Sequence, residues 1–298
     1  MSANILVETK GRVLRIEIAR PEKKNALTQE MYRAMADALA AADGDPQVRV
    51  VLIHGARDCF TAGNDLRDFL DRPPHSEASP THRFLRGIAT FGKPLLAAVN
   101  GAAVGIGTTM LLHCDLVYAA PGARFQLPFV PLGLVPEAGS SFLLPYIAGY
   151  QRAAELLLLG QPFDADKAYA AGFVTSIVPE SELFERARAG ALAIAALPPA
   201  AVRATKALMR SRFGPRVTGD ERGGQGIQRT PVVARGERSD DRVLRETQAG
   251  FFEVLAARPL DSRFRGNDAC VPGGIEGGRG GRGPLRRRAG SHICERCA

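Results

Sequence analysis

Two buried-type strand runs, Val48–Ile53 and Pro94–Val99, each feed a turn bracketed by glycine, and this pairing constrains the fold more than any other feature of the chain. The turns read Phe60-Thr-Ala-Gly-Asn-Asp65 and Asn100-Gly-Ala-Ala-Val-Gly-Ile-Gly107. Glycine at such a junction lets the backbone turn sharply without a Cβ in the way. The second turn leads straight into Ile106–His113, which reads as a short buried helix, and Leu116–Ala119 reads as the next strand. A succession of strand, turn, helix and strand specifies an α/β domain whose chemistry gathers at strand ends.

The rest of the pattern agrees. Ile5–Glu8 and Val13–Ile18 alternate as a hairpin about Lys10-Gly11. Thr28 is placed to cap a helix with apolar positions Met31, Met35, Ala38, Leu39 and Ala42, stopped by Gly44 and Pro46. Residues 71–82 form a polar, proline-rich loop, expected to be mobile. From Tyr150 onward the spacing is helical, over Arg152–Leu159, Ala165–Ala171, Ser181–Ala196 and Ala200–Met209. After Arg212 the text turns arginine- and glycine-rich, as in Gly277-Gly-Arg-Gly-Gly-Arg-Gly283, and no periodicity capable of supporting a core remains. The domain reading is therefore a core over 3–197, the start of a helical region over 198–212, and an atypical tail over 213–298. The loss of every lysine in that tail points to a departure of the reading frame between Phe213 and Gly236, with a native disordered tail as the alternative.

The net charge of +8 does not imply nucleic acid, because the tail carries the excess and the patterned part is almost neutral. No apolar stretch is long enough to span a membrane, and the N-terminus lacks the basic-then-apolar pattern of a secretory signal. Of five cysteines, Cys59 and Cys114 stand far apart; Cys294 and Cys297 form a pair with no second ligand pair for a metal. A cytoplasmic location is the expectation.

Downstream of the turns a lone carboxylate, Glu137, sits in the apolar text Val135-Pro-Glu-Ala-Gly-Ser-Ser141. Backbone N–H groups at a turn can hold a developing enolate oxygen, and one carboxylate can remove a proton next to a carbonyl. Glu137 could instead cap a helix beginning near Ala138, since acids are welcome at helix N-termini. His54 and His113 lie in apolar contexts and read as packed core residues. Asp65 reads as a turn or capping residue, Asp115 orders a strand start, and Ser140 and Ser141 have no histidine at motif distance.

Taken in order, Arg20-Pro-Glu-Lys-Lys-Asn-Ala-Leu27, Phe60-Thr-Ala-Gly-Asn-Asp-Leu66, Lys93-Pro-Leu-Leu-Ala-Ala-Val-Asn-Gly101, Cys114-Asp-Leu-Val-Tyr-Ala119 and Gly172-Phe-Val-Thr-Ser-Ile-Val178 resemble the enoyl-CoA hydratase/isomerase, or crotonase, family. The resemblance covers roughly residues 3–210. It implies a spiral of ββα units followed by C-terminal helices, and a coenzyme A thioester as substrate with no separate cofactor or metal. It also implies assembly as a homotrimer or a pair of trimers, and an oxyanion hole made by the N–H groups of Asn64 and Ile106. Ala62, Gly63, Asp65, Gly105, Thr109 and Phe129 are then expected around the substrate.

Hydratases that resemble this chain place two glutamates where it has Thr109 and Phe129, and neither residue can activate water near neutral pH. Glu137 stands where the Δ3,Δ2-enoyl-CoA isomerases of the peroxisomal type carry a catalytic carboxylate. Phe125, Phe129, Leu132, Leu134 and Val135 would keep its surroundings dry and raise its pKa. The implied activity is an enoyl-CoA isomerase with Glu137 as base. The alternatives are a hydratase or other acyl-CoA activity using Glu137 on water, and a catalytically impaired oligomeric member.

Overall fold

A two-residue turn joins the first two strands. In the computed structural model, β1 (Ile5–Lys10) and β2 (Val13–Ile18) pair antiparallel, Lys10 opposite Val13. Gly11 and Arg12 both take positive φ, the requirement of the tightest hairpin turn, so the turn is one residue later than the sequence pattern implies. The residues described are 2–72, 76 and 78–211. The tail from 213, with its proposed frame change and Cys270, Cys294 and Cys297, lies outside them.

Thr28 caps α1 (Gln29–Gly44) by accepting from the Met31 N–H. Then come β3 (Val50–Gly55), α2 (Leu66–Asp71), α3 (Pro80–Thr90) and β4 (Leu95–Val99). Neither α2 nor α3 follows from the spacing read above. The start of α3 also enters the stretch read as loop, with Ser79 accepting from the His82 N–H and Pro80 in the first turn. After β4 the chain makes β5 (Ala102–Val104) and α4 (Ile106–Thr109), which continues as a 3-10 turn over Met110–His113. There follow β6 (Leu116–Ala119), β7 (Arg124–Gln126), α5 (Ser140–Ala148), α6 (Tyr150–Leu159), β8 (Phe163–Asp164) and α7 (Ala165–Ala170). The described chain closes with β9 (Ser176–Ile177), α8 (Leu183–Ala196) and α9 (Pro199–Arg210).

Six strands form one sheet in the order β1-β2-β3-β4-β6-β9, parallel from β2 onward. A second ladder carries β5-β7-β8. The leading strands β2, β3, β4 and β6 lie side by side in the large sheet. The short segments that follow β3, β4 and β6 pair with one another: Thr61 bridges Ala103, and β5 runs parallel to β7. This is the repeating ββα spiral expected from the motifs.

Both faces of the large sheet are covered, which explains its unbroken apolar strands. Val51, Ile53, Leu95, Ala97 and Val99 face a core shared with Met31, Met35, Leu39, Phe84 and Ile88. Val50, Leu52, Leu96 and Ala98 face the opposite way onto Leu183, Ala187, Ala191 and Ala195 of α8. A rigid sheet buried on both sides leaves the loops after β3 and β4 as the places where side chains and N–H groups can meet a ligand.

Candidate active site

The loops after β3 and β4 are laced together by backbone bonds. The Phe60 N–H donates to Asn100 O at 2.8 Å, Thr61 to Ala102 O at 2.9 Å, and Val104 back to Thr61 O at 3.0 Å. Gly63 lies so close to the second loop that a Cβ there would sit 2.7 Å from Val104 O, and its φ is +91°. Around Asn64 the chain bridges Leu27: the Leu27 N–H donates to Gly63 O at 2.8 Å and the Asp65 N–H to Leu27 O at 2.8 Å. That pairing points the Asn64 N–H away from Leu27. Gly105 holds φ +57° and ψ −116°, a combination only glycine adopts readily, and this turns the Ile106 N–H out at the start of α4. Among the described residues neither of these two N–H groups is spent on a backbone hydrogen bond.

Asp65 serves the scaffold of this loop. Its Oδ1 accepts from the Arg67 and Asp68 N–H groups at 3.1 Å, capping α2, and its Oδ2 pairs with Arg20 at 2.7 Å. Arg20 also donates to Ala26 O at 3.0 Å, tying the Arg20–Leu27 motif to the loop. Asp115 likewise orders a strand start, accepting from the Leu95 N–H at 2.7 Å.

Glu137 lies between β7 and α5 and is 2% exposed. It does not cap α5: that helix starts at Ser140 behind Gly139, with no side-chain cap. Its Oε1 is buried without a hydrogen-bond partner among the described residues, and so is the Thr109 hydroxyl. Burial pushes the Glu137 pKa up to about 7, with the Thr109 hydroxyl pulling the other way. Thr109 therefore acts on the carboxylate at a distance that does not meet hydrogen-bond geometry. Because Thr109 is one turn after Ile106 on the same short helix, the carboxylate and the Ile106 N–H belong to one neighbourhood. Phe129 and Leu134 are buried, as a dry setting requires, whereas Val135 is 38% exposed. Phe125 is buried too, stacked on Phe163 with centroids 5.7 Å apart.

Tyr32 belongs to this neighbourhood, although the sequence pattern gives it no role. It is fully buried on α1, its hydroxyl donates to Asn64 Oδ1, and its ring lies 5.5 Å from that of Phe84. Its pKa is raised well above the usual value, first by burial and then by the charge of Glu137. Tyr32 thus ties α1 to the loop carrying the Asn64 N–H and feels the charge of Glu137. A tyrosine beside the apolar stripe of an amphipathic helix offers nothing in sequence to distinguish it from core.

His54 is buried against Phe184, ring centroids 4.9 Å apart, as a packed histidine should be. Hollows of about 340 and 350 Å³ lie elsewhere, one between the end of α1 and α9, the other beside His54 and Phe184. Neither is lined by Glu137, Asn64 or Ile106. Among the described residues no cluster of His, Cys, Asp and Glu is placed to hold a metal ion, and no single helix is long and apolar enough to cross a membrane.

A carboxylate with a pKa near 7 makes any reaction that uses it as base depend on pH. Activity through Glu137 should fall about tenfold per pH unit below pH 7 and level off above it, as read from kcat/KM against pH. The stability effect has the opposite sense. The folded value lies above the ordinary 4.5, so folding favours the protonated form and stability is lost as pH rises from 4.5 through 7. The loss is about 3 kcal/mol. Glu137→Gln should therefore gain stability relative to the parent by about that amount between pH 4.5 and pH 8, measured by urea unfolding. An unchanged difference would show that the carboxyl is not desolvated.

A model of the enoyl-CoA hydratase/isomerase family matches residues 8–223. Enoyl-CoA delta isomerase 2 of Rattus norvegicus is 39% identical over 215 residues, which cover 70% of this chain and 55% of that protein. The 2,3-dehydroadipyl-CoA hydratase of Escherichia coli (strain K12) is 34% identical over 209 residues, 70% of this chain and 82% of that protein. The solved structure of Pseudomonas aeruginosa OdaA is similar with a TM-score of 0.75 and 43% identity, covering 85% of this chain and 94% of that one. The chain spans about half the length of the two delta isomerases numbered 2, of rat and of Homo sapiens, that it matches.

Proposed function

Because this chain belongs to the enoyl-CoA hydratase/isomerase family, we propose that it is an enoyl-CoA isomerase that moves a double bond from C3 to C2 of an acyl-CoA thioester. The Glu137 carboxylate takes a proton from C2. The electrons pass onto the thioester carbonyl, whose oxygen becomes an enolate held by the Asn64 and Ile106 N–H groups. The carboxylic acid so formed returns the proton at C4, so that no atom is gained or lost. Coenzyme A is part of the substrate, and the reaction needs no further cofactor.

One observation carries this reading: the buried Glu137 carboxylate has an unpartnered oxygen and is poised near neutrality, with no second carboxylate at position 109 or 129. Adding water to an alkene requires a positioned water and a proton source. Moving a double bond requires one shuttling acid over a stabilised enolate, in surroundings dry enough to spare the intermediate. Hydration through Glu137 alone is the second reading, and the relationship to a dehydroadipyl-CoA hydratase supports it.

Steady-state assays with 3-enoyl-CoA and 2-enoyl-CoA side by side separate the two. A shifted double bond from the first substrate, faster than 3-hydroxyacyl product from the second, is expected; the reverse order would reject isomerisation as the main activity. A gain-of-function pair sharpens the comparison. Thr109→Glu with Phe129→Glu should bring measurable hydration of 2-enoyl-CoA and slow the isomerisation as the pocket becomes wet. Either substitution alone should do neither efficiently, because one carboxylate leaves the water half-held.

A further inference from the structure

The turn presenting Glu137 is held in a shape its own residues do not favour. Ala138 has φ +54° and Gly139 φ +64°, and a left-handed alanine persists only where its surroundings impose it. Two bonds within the turn reach the Glu137 carbonyl, from the Ser140 N–H at 2.9 Å and the Ser140 hydroxyl at 2.6 Å. They form wherever the turn forms and cannot place it against the rest of the site. A third bond can: His113 Nε2 lies 2.8 Å from Ala138 O, joining residues 25 positions apart.

His113 ends the segment that begins with Ile106, since α4 runs directly into the 3-10 turn over Met110–His113. The ring is 2% exposed, and Nδ1 has no hydrogen-bond partner among the described residues. A carbonyl only accepts, so the proton must be on Nε2. Burial, together with the charges of Arg210 and Lys206, lowers the His113 pKa to about 4, against the pull of the Ala138 bond. The ring is thus a neutral, single-donor strut with one place to donate.

We propose that His113 is a positioning residue that fixes the Glu137 carboxylate relative to the Ile106 N–H by holding Ala138 left-handed through the Nε2–H···O bond. The inference rests on the reading of Glu137 as the base. The base and one oxyanion donor are then linked by a short helical segment and a single hydrogen bond.

The test uses the full chain and steady-state turnover of 3-enoyl-CoA. His113→Leu should lower kcat by ~10- to 100-fold with KM changed less than about threefold, the signature of a misplaced base rather than lost binding. His113→Gln, whose side-chain amide can donate to the same carbonyl, should recover most of that loss. In a Glu137→Gln background His113→Leu should have no further effect, because its influence passes through the carboxylate. If His113→Leu fails to fold, His113→Phe fills the ring's space without a donor and carries the same expectations. Unchanged kcat in the folded Leu or Phe variant would overturn the inference, as would an equal fold loss with and without Glu137. A Glu137→Gln enzyme with near-normal turnover would overturn both this inference and the assignment of the base. An inactive Glu137→Gln beside a fully active His113→Leu would overturn the positioning role alone.

Discussion

Glu137→Gln is expected to lower turnover of 3-enoyl-CoA by at least ~100-fold while acyl-CoA binding changes little. The substitution keeps the volume and a polar end, but an amide cannot take a proton from C2. Among the described residues the buried carboxylate has no ion-pair partner and no hydrogen bond on Oε1, and no packing reason requires its charge. Its burial costs the fold stability above neutral pH, and a group kept against that cost is a candidate for chemistry. Turnover should be read by conversion of 3-enoyl to 2-enoyl thioester, and binding by titration with a non-reacting acyl-CoA. Near-normal isomerisation by the variant would remove Glu137 from the mechanism. A matching collapse of both binding and turnover would instead mean that the pocket itself had been lost.

The second large effect is expected at Gly105. An added Cβ there meets no atom within 4 Å, so Gly105→Val creates no clash. What it opposes is the backbone, since φ +57° with ψ −116° is closed to a β-branched residue. The turn must rotate, and the Ile106 N–H rotates with it. Loss of one preorganised donor to an oxyanion costs about 3 kcal/mol of transition-state stabilisation, or ~100-fold in kcat. Gly107→Val is a less clean test, because its Cβ would sit 2.7 Å from Thr61 Cγ2 and disturb the packing between the two loops as well. Circular dichroism and thermal unfolding would establish that Gly105→Val is folded. A folded variant with unchanged kcat would reduce this turn to a structural corner.

Much of the architecture is legible in the residues because it depends on short-range pattern. The strand runs Val48–Ile53 and Pro94–Val99 correspond to β3 and β4 with shifted ends, and the Thr28 cap starts α1. The helices from Tyr150 onward are visible through their spacing. The second ladder is not: β5 and β7 have three residues each and β8 two, too few for any periodicity, and they exist only because the spiral brings them together. In α2, six residues long, the same limit applies. The start of α3 had a readable signal in Ser79-Pro80, but the proline-rich text before it read as loop.

At the site, the sequence by itself determined the inventory: one carboxylate in apolar text at 137, two glycine turns able to aim N–H groups, and no carboxylate at 109 or 129. Those are properties of residue type and local backbone freedom, and motif order was enough to read them. Only the tertiary structure decided how the groups act on one another. It left Val135 more than a third exposed, paired Asp65 with Arg20, brought Tyr32 from α1 to Asn64, and placed His113 on the Ala138 carbonyl. The apolar text around Glu137 already implied a raised pKa, but its value of about 7 is set by the three-dimensional surroundings. Desolvation and long-range hydrogen bonds depend on what surrounds a group in three dimensions, and residues 25, 32 or 45 positions apart leave no pattern in the chain that joins them.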